Sequence, residues 1–77
     1  MKYAVVIERG ASSYGAFVPD LPGCVAVADT REEVRRLIEE AIPLHIAAML
    51  DSGLEVPAPD TQVTVVEVDD ERWTSSS

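Results

Sequence analysis

One cysteine and one histidine are all this chain has of the residues that most often bind transition metals or pair as nucleophile and base. The lone Cys24 excludes an intrachain disulfide. An ordinary four-ligand zinc site would need carboxylates as well, at no recognisable spacing. Positive charge is scarce too: six basic residues stand against fourteen acidic ones, for a net charge of −8. That balance argues against direct binding to nucleic acid or to an anionic membrane, both of which favour a basic patch. It suits a basic protein partner, because opposite fields speed encounter, although acidity also serves solubility alone. No apolar run approaches the about 20 residues of a membrane helix. Met1-Lys2-Tyr3 enters a strand directly, with no signal-peptide core. The expected location is the cytoplasm, with which a free thiol agrees.

Seventy-seven residues make one small domain. A chain this short buries only about 60% of its unfolded surface and needs idealised packing, a metal, disulfides or a partner subunit. With disulfide and metal set aside, a partner copy is the support that remains.

What is present is organised around Val18-Pro19-Asp20-Leu21-Pro22-Gly23-Cys24-Val25. Two prolines fix φ near −65° and remove two backbone donors, so neither a helix nor a central strand runs through it. Leu21-Pro22-Gly23-Cys24 fits a type II turn, with proline second and glycine third, where φ must be positive. The stretch is a rigid corner that sets where the third strand starts.

Before the corner lie a strand at residues 2–8, a small polar loop at 9–13 and a strand at 14–18. After it comes a short strand at 24–28. Thr30 is placed to cap a long helix, with Glu33 bonding back to the Thr30 amide. The helix is predicted from Arg31 to about Asp51 or Ser52, ended by Gly53 in the left-handed conformation. Its apolar stripe is Val34, Leu37, Ile38, Ala41, Ile42, Leu44, His45, Ala48 and Met49, with Ile46 and Leu50 on the flank. Pro43 should bend this helix, convex to solvent; two shorter helices are the alternative. An extended connector with Pro57 and Pro59 leads to a fourth strand at 62–68. Residues 69–77 read as an acidic, serine-rich flexible tail, in which Trp73 either packs back or stays in the tail.

The fold class is therefore α+β: a βββαβ two-layer sandwich with a mixed four-stranded sheet in order 3-2-1-4 and one helix on one face. Placement of the last strand beside the third is the alternative. One helix roofs one face, so the other keeps apolar side chains from the first, third and fourth strands. Such a patch is unusual on a soluble monomer, and a homo-oligomer, most simply a two-fold dimer, is expected.

Chemistry is thin. Cys24 and His45 are the only candidate nucleophile and base, and nothing in their spacing brings them together with an orienting third group. The pairs Glu32/Glu33 and Glu39/Glu40 are adjacent and diverge on a helix, and Asp69/Asp70 sits in the tail. There is no glycine-rich phosphate loop or catalytic serine motif, and no cofactor or catalytic residue is expected.

The whole pattern does resemble a known family. The opening strand Lys2 to Glu8, the hairpin ending at Tyr14, the run Val18 to Val25, and Asp29-Thr30-Arg31-Glu32-Glu33 opening a helix with Glu40-Ala41-Ile42 closely resemble the HicB-like antitoxins. The connector Val56-Pro57-Ala58-Pro59 matches as well, so the likeness covers roughly residues 2–68. It implies a partial ribonuclease H-like fold without that enzyme's catalytic carboxylates, and a non-catalytic module that binds HicA, a small basic toxin that cleaves messenger RNA, covering its active-site histidine. Pro19, Asp20, Pro22, Gly23, Cys24, Thr30 and Glu33 form the structural motif. Tyr14, Asp20, Ile46 and Leu50 are the candidate partner contacts. The family usually adds a C-terminal DNA-binding domain; nine residues follow Val68, too few for one, so repression of an operon by this chain alone is not expected. The alternative is a stand-alone oligomeric regulatory or ligand-binding domain without a toxin.

Overall fold

The structure is a computed structural model and describes residues 1–69. Its elements are β1 (Val6–Arg9), β2 (Tyr14–Phe17), β3 (Val25–Ala28) and α1 (Arg31–Asp51). The strands form an antiparallel meander in order β1-β2-β3, and the helix crosses one face.

The corner folds as its prolines and glycine dictate. The Cys24 N–H donates to the Leu21 carbonyl at 3.0 Å, and Gly23 sits at φ +85°. That φ is open to glycine and costly for other residues. A second turn precedes it, in which the Leu21 N–H donates to the Val18 carbonyl, while the Val18 N–H reaches the Cys24 carbonyl and closes the corner. This double turn drives Leu21 into the core, where it is fully buried.

Thr30 caps α1, its Oγ1 accepting from the Glu33 N–H at 3.1 Å. The cap is one-sided: the Glu33 carboxylate stays exposed beside the positive end of the helix dipole. At the other end the Gly53 N–H meets the Leu50 carbonyl and the Leu54 N–H meets the Met49 carbonyl. With Gly53 at φ +73°, this is the double-bonded C-terminal cap that glycine permits.

The core is Ala16, Val18, Leu21, Cys24, Ala28, Val34 and Ile38. Tyr3, Val5 and Ile7 pack against it from the β1 side, and Leu37, Ala41, Ile42, Ile46 and Met49 from the helix. The helix is rotated from the predicted stripe. Leu44 and Ala48 are exposed, and Ile46 is half-buried. Relative to Val34, Ile46 lies about 120° to one side at 100° per residue, so the buried arc reaches further to that side than the predicted stripe.

The predicted four-stranded sheet in order 3-2-1-4 is not what forms. Among the described residues the sheet has three strands, and residues 62–68 carry the sequence of a strand without pairing as one. Alternating valines supply propensity, but a strand is stable only on a ladder, and the connector is pinned where it cannot easily reach the β1 edge (below). The tail expected at 69–77 starts at an exposed Asp69; residues 70–77, Trp73 among them, lie outside the described residues.

Candidate functional site

The alternation of the three strands sorts their side chains cleanly. On the helix side Ile7, Ala16 and Ala26 form one cross-strand row. On the opposite side Val6, Phe17 and Val25 form the next row, followed by Glu8, Gly15 and Val27. No described element covers this second face. Val25 and Val27 are 63% and 67% exposed, and Phe17 is exposed at its margin. With no side chain on Gly15, a shallow apolar surface results, fringed by Glu8. Aromatic and β-branched side chains in an open, contiguous patch are the usual makings of a protein-binding surface.

The motif residues meet at one end of the sheet. Pro19, Pro22 and Gly23 shape the corner, and Cys24 lies beneath it. Burial pushes the Cys24 thiol up from its ordinary pKa, which keeps it protonated, the reverse of what a nucleophile needs. His45 approaches Gly23, with its Cε1 3.6 Å from where a Cβ would sit. Among the described residues no hydrogen bond joins Cys24 to His45, and no three acidic, histidine or cysteine side chains gather as a metal site.

Asp20 has a role that its sequence neighbours do not announce. Its Oδ2 accepts from the Asp60 N–H at 3.1 Å and the Thr61 N–H at 2.9 Å, and its Oδ1 accepts from the Thr61 hydroxyl at 2.9 Å. Together with the Tyr3 hydroxyl donating to the Pro57 carbonyl at 2.6 Å, these bonds strap the connector across the end of the sheet. Of the other candidate contacts, Tyr14 pairs with Arg9 and Ala28 and packs on the core. Ile46 also packs on the core, and Leu50 is exposed.

The backbone N–H of Thr61 is the main reason that the Asp20 carboxyl titrates below its ordinary value, with the Thr61 hydroxyl and the Asp60 N–H adding to it; partial desolvation opposes them. Because the folded-state pKa is depressed, the strap is at full strength above the ordinary aspartate pKa of about 3.9 and is lost as the pH falls through the lowered folded value. Asp20→Ala should remove it at every pH, since it leaves the two backbone N–H groups and the Thr61 hydroxyl without their acceptor. Amide exchange checks this: protection of Asp60 and Thr61 should fall on the order of tenfold in the variant. The parent should lose it only in that acidic window.

Comparison with known proteins points one way. A family profile described as "HicB_like antitoxin of bacterial toxin-antitoxin system" matches residues 3–74. The "uncharacterized 14.9 kDa protein in rep-hol intergenic region" of Haemophilus phage HP1 is 37% identical over 82 residues, which cover 90% of this chain and 62% of that protein. "Antitoxin HicB 2" of Photorhabdus laumondii is 27% identical over 80% of this chain and 45% of its own length. The chain thus spans between about half and two thirds of these two relatives. A solved chain of a "HicA3 and HicB3 toxin-antitoxin complex" superposes with a TM-score of 0.66 at 27% identity, over 78% of this chain and 70% of that one.

Proposed function

This chain belongs to the HicB-like antitoxin family, and from that membership we propose that it is a protein-binding module that neutralises a small, basic, HicA-type toxin that cleaves messenger RNA. The observation that carries the reading is the likeness to a chain of the toxin–antitoxin complex, and charge and shape support it. A net charge of −8 attracts a basic partner. The uncovered face with Phe17, Val25 and Val27 offers apolar area for the centre of an interface, while Glu8 supplies charge at its rim. The role assigned is binding, not catalysis: the one thiol is buried and held protonated. In this reading residues 1–68 are the interaction domain, and membrane and nucleic acid are not direct partners.

Co-expression with a HicA-type toxin provides the test. The parent should restore growth and co-purify with the toxin. Val25→Lys combined with Val27→Lys places two positive charges on the face, repelling a basic partner while leaving the core untouched; both sites are exposed, so stability should move by about 0.5 kcal/mol or less per site. Growth rescue should then fail with the chain still folded. A parent that neither binds nor rescues overturns the function. A parent that rescues alongside an unimpaired lysine variant overturns the choice of face. Light scattering on the same pair also shows whether a second copy occupies that face instead.

A further inference from the structure

Two incomplete features of this chain fit each other. The first is the segment Gln62–Val68. It alternates Val63, Val65 and Glu67 on one side with Thr64, Val66 and Val68 on the other, and its four valines are 72–92% exposed. Among the described residues none of its backbone groups has a backbone partner. The second is the free edge of β1. The helix leans on β3 and β2 and touches β1 least, which leaves an open groove of about 370 Å³ between β1 and the helix flank. Tyr3, Val5, Ile7, Ile38 and Ile42 form its apolar wall, Arg31 and Arg35 stand at one end, and Glu39 follows on the helix flank, paired with Arg35.

We propose that Gln62–Val68 of a second copy adds to the β1 edge as a parallel fourth strand, reciprocally, in a strand-exchanged dimer.

The direction follows from charge. Helix α1 starts at the Arg9 end of β1 and runs back toward Tyr3, as its entry from Ala28 requires. The apolar end of the groove therefore lies beside Tyr3 and Ile42, and the arginines beside Ile7. A strand entering parallel to β1 sets Val63 and Val65 against the apolar wall and brings Glu67 to Arg31 and Arg35. Entering antiparallel, it would bury Glu67 in the apolar end. Arg35 already meets Glu39 at 3.1 Å, whereas Arg31 makes no ion pair among the described residues.

The occupant is a second copy because of the strap. The connector passes Tyr3, at the lead-in to β1, before Asp20 grips Asp60 and Thr61 beyond the end of β2. When it is released at Thr61, the chain has already crossed the end of β1 and moved away from that strand's free edge. Unpaired strands and edges of this kind are the usual substrate of strand addition.

The purified full-length chain, without any toxin, is sufficient for the test, so its result is independent of the toxin-binding reading. The parent should have the mass of a dimer at micromolar concentration. Val65→Pro removes a ladder donor at a side chain that is 92% exposed in the single chain, and should weaken the dimer about a hundredfold while leaving the fold intact by circular dichroism. A full-length Arg35→Cys, Glu67→Cys double variant, treated with a short bismaleimide, should join two chains. A monomeric parent, or a Val65→Pro dimer of unchanged affinity, overturns the proposal. So does a cross-link within one chain, which would place the strand on its own sheet, or no cross-link at all.

Discussion

Leu21→Ala should lower the free energy of unfolding by about 3 kcal/mol, within the usual 2–5 kcal/mol for a buried leucine. Leu21 is fully buried and shares the core with Ala16, Val18, Cys24, Val34 and Ile38. What makes it vulnerable is that it cannot follow a collapsing cavity. Its own N–H is held by Val18, its carbonyl by Cys24, and prolines flank the pair on either side. A residue so fixed leaves its void unfilled, which puts the cost above the lower end of the range. A domain of this length has roughly 4–12 kcal/mol in all, so the loss is a quarter of its stability or more. Urea titration and thermal melting at one fixed concentration check it, since self-association raises apparent stability with concentration. The melting temperature should fall by about 12–24 °C. Leu44→Ala is the matched control. That side chain is 71% exposed, and its loss should change stability by about 0.5 kcal/mol or less. Equal effects at the two positions would remove the corner from the core.

That contrast also marks where reading the sequence succeeds and where it stops. Features set by a residue's own backbone preference were legible. Gly23 and Gly53 adopt positive φ, Thr30 caps, and three strands and one helix lie within a few residues of their expected places. Features that depend on what lies opposite were not. Whether Ile46 or Leu44 turns inward depends on how the helix rolls on the sheet, and the two differ by a 160° arc that the pattern of apolar residues leaves ambiguous. Asp20 stood among the candidate partner contacts. Its hydrogen bonds are to residues 40 and 41 positions away, and no local motif signals a contact at that separation. The segment 62–68 is the sharpest case. Its alternating valines carry strand propensity, yet propensity names no pairing partner, and among the described residues it has none. The uncovered apolar face was anticipated on general grounds, one helix being too narrow to roof two sides of a sheet, and Phe17, Val25 and Val27 are where it appears.

Pro43→Ala should have the opposite sign, raising stability by about 2 kcal/mol. Proline inside a helix is about 3 kcal/mol less favourable than alanine, because it withdraws the N–H that would reach the carbonyl four residues back, here Glu39, and its ring crowds that turn. The helix nevertheless runs unbroken from Arg31 to Asp51, and Pro43 lies on its exposed side. Tertiary packing therefore already carries this defect: Ala41, Ile42, Ile46 and Met49 pack on the core on either side of it. Alanine restores the bond without disturbing any buried contact. Against this, proline restricts the unfolded chain, an advantage of about 0.4–1 kcal/mol that alanine gives up, which leaves the smaller net figure. A rise of about 8–16 °C in the melting temperature, at the concentration used for Leu21→Ala, is the expected reading. A fall would carry a different meaning. It would show that Pro43 sets the path of the second half of the helix against the corner, where His45 approaches Gly23, and that alanine there lifts Ile46 and Met49 off the core.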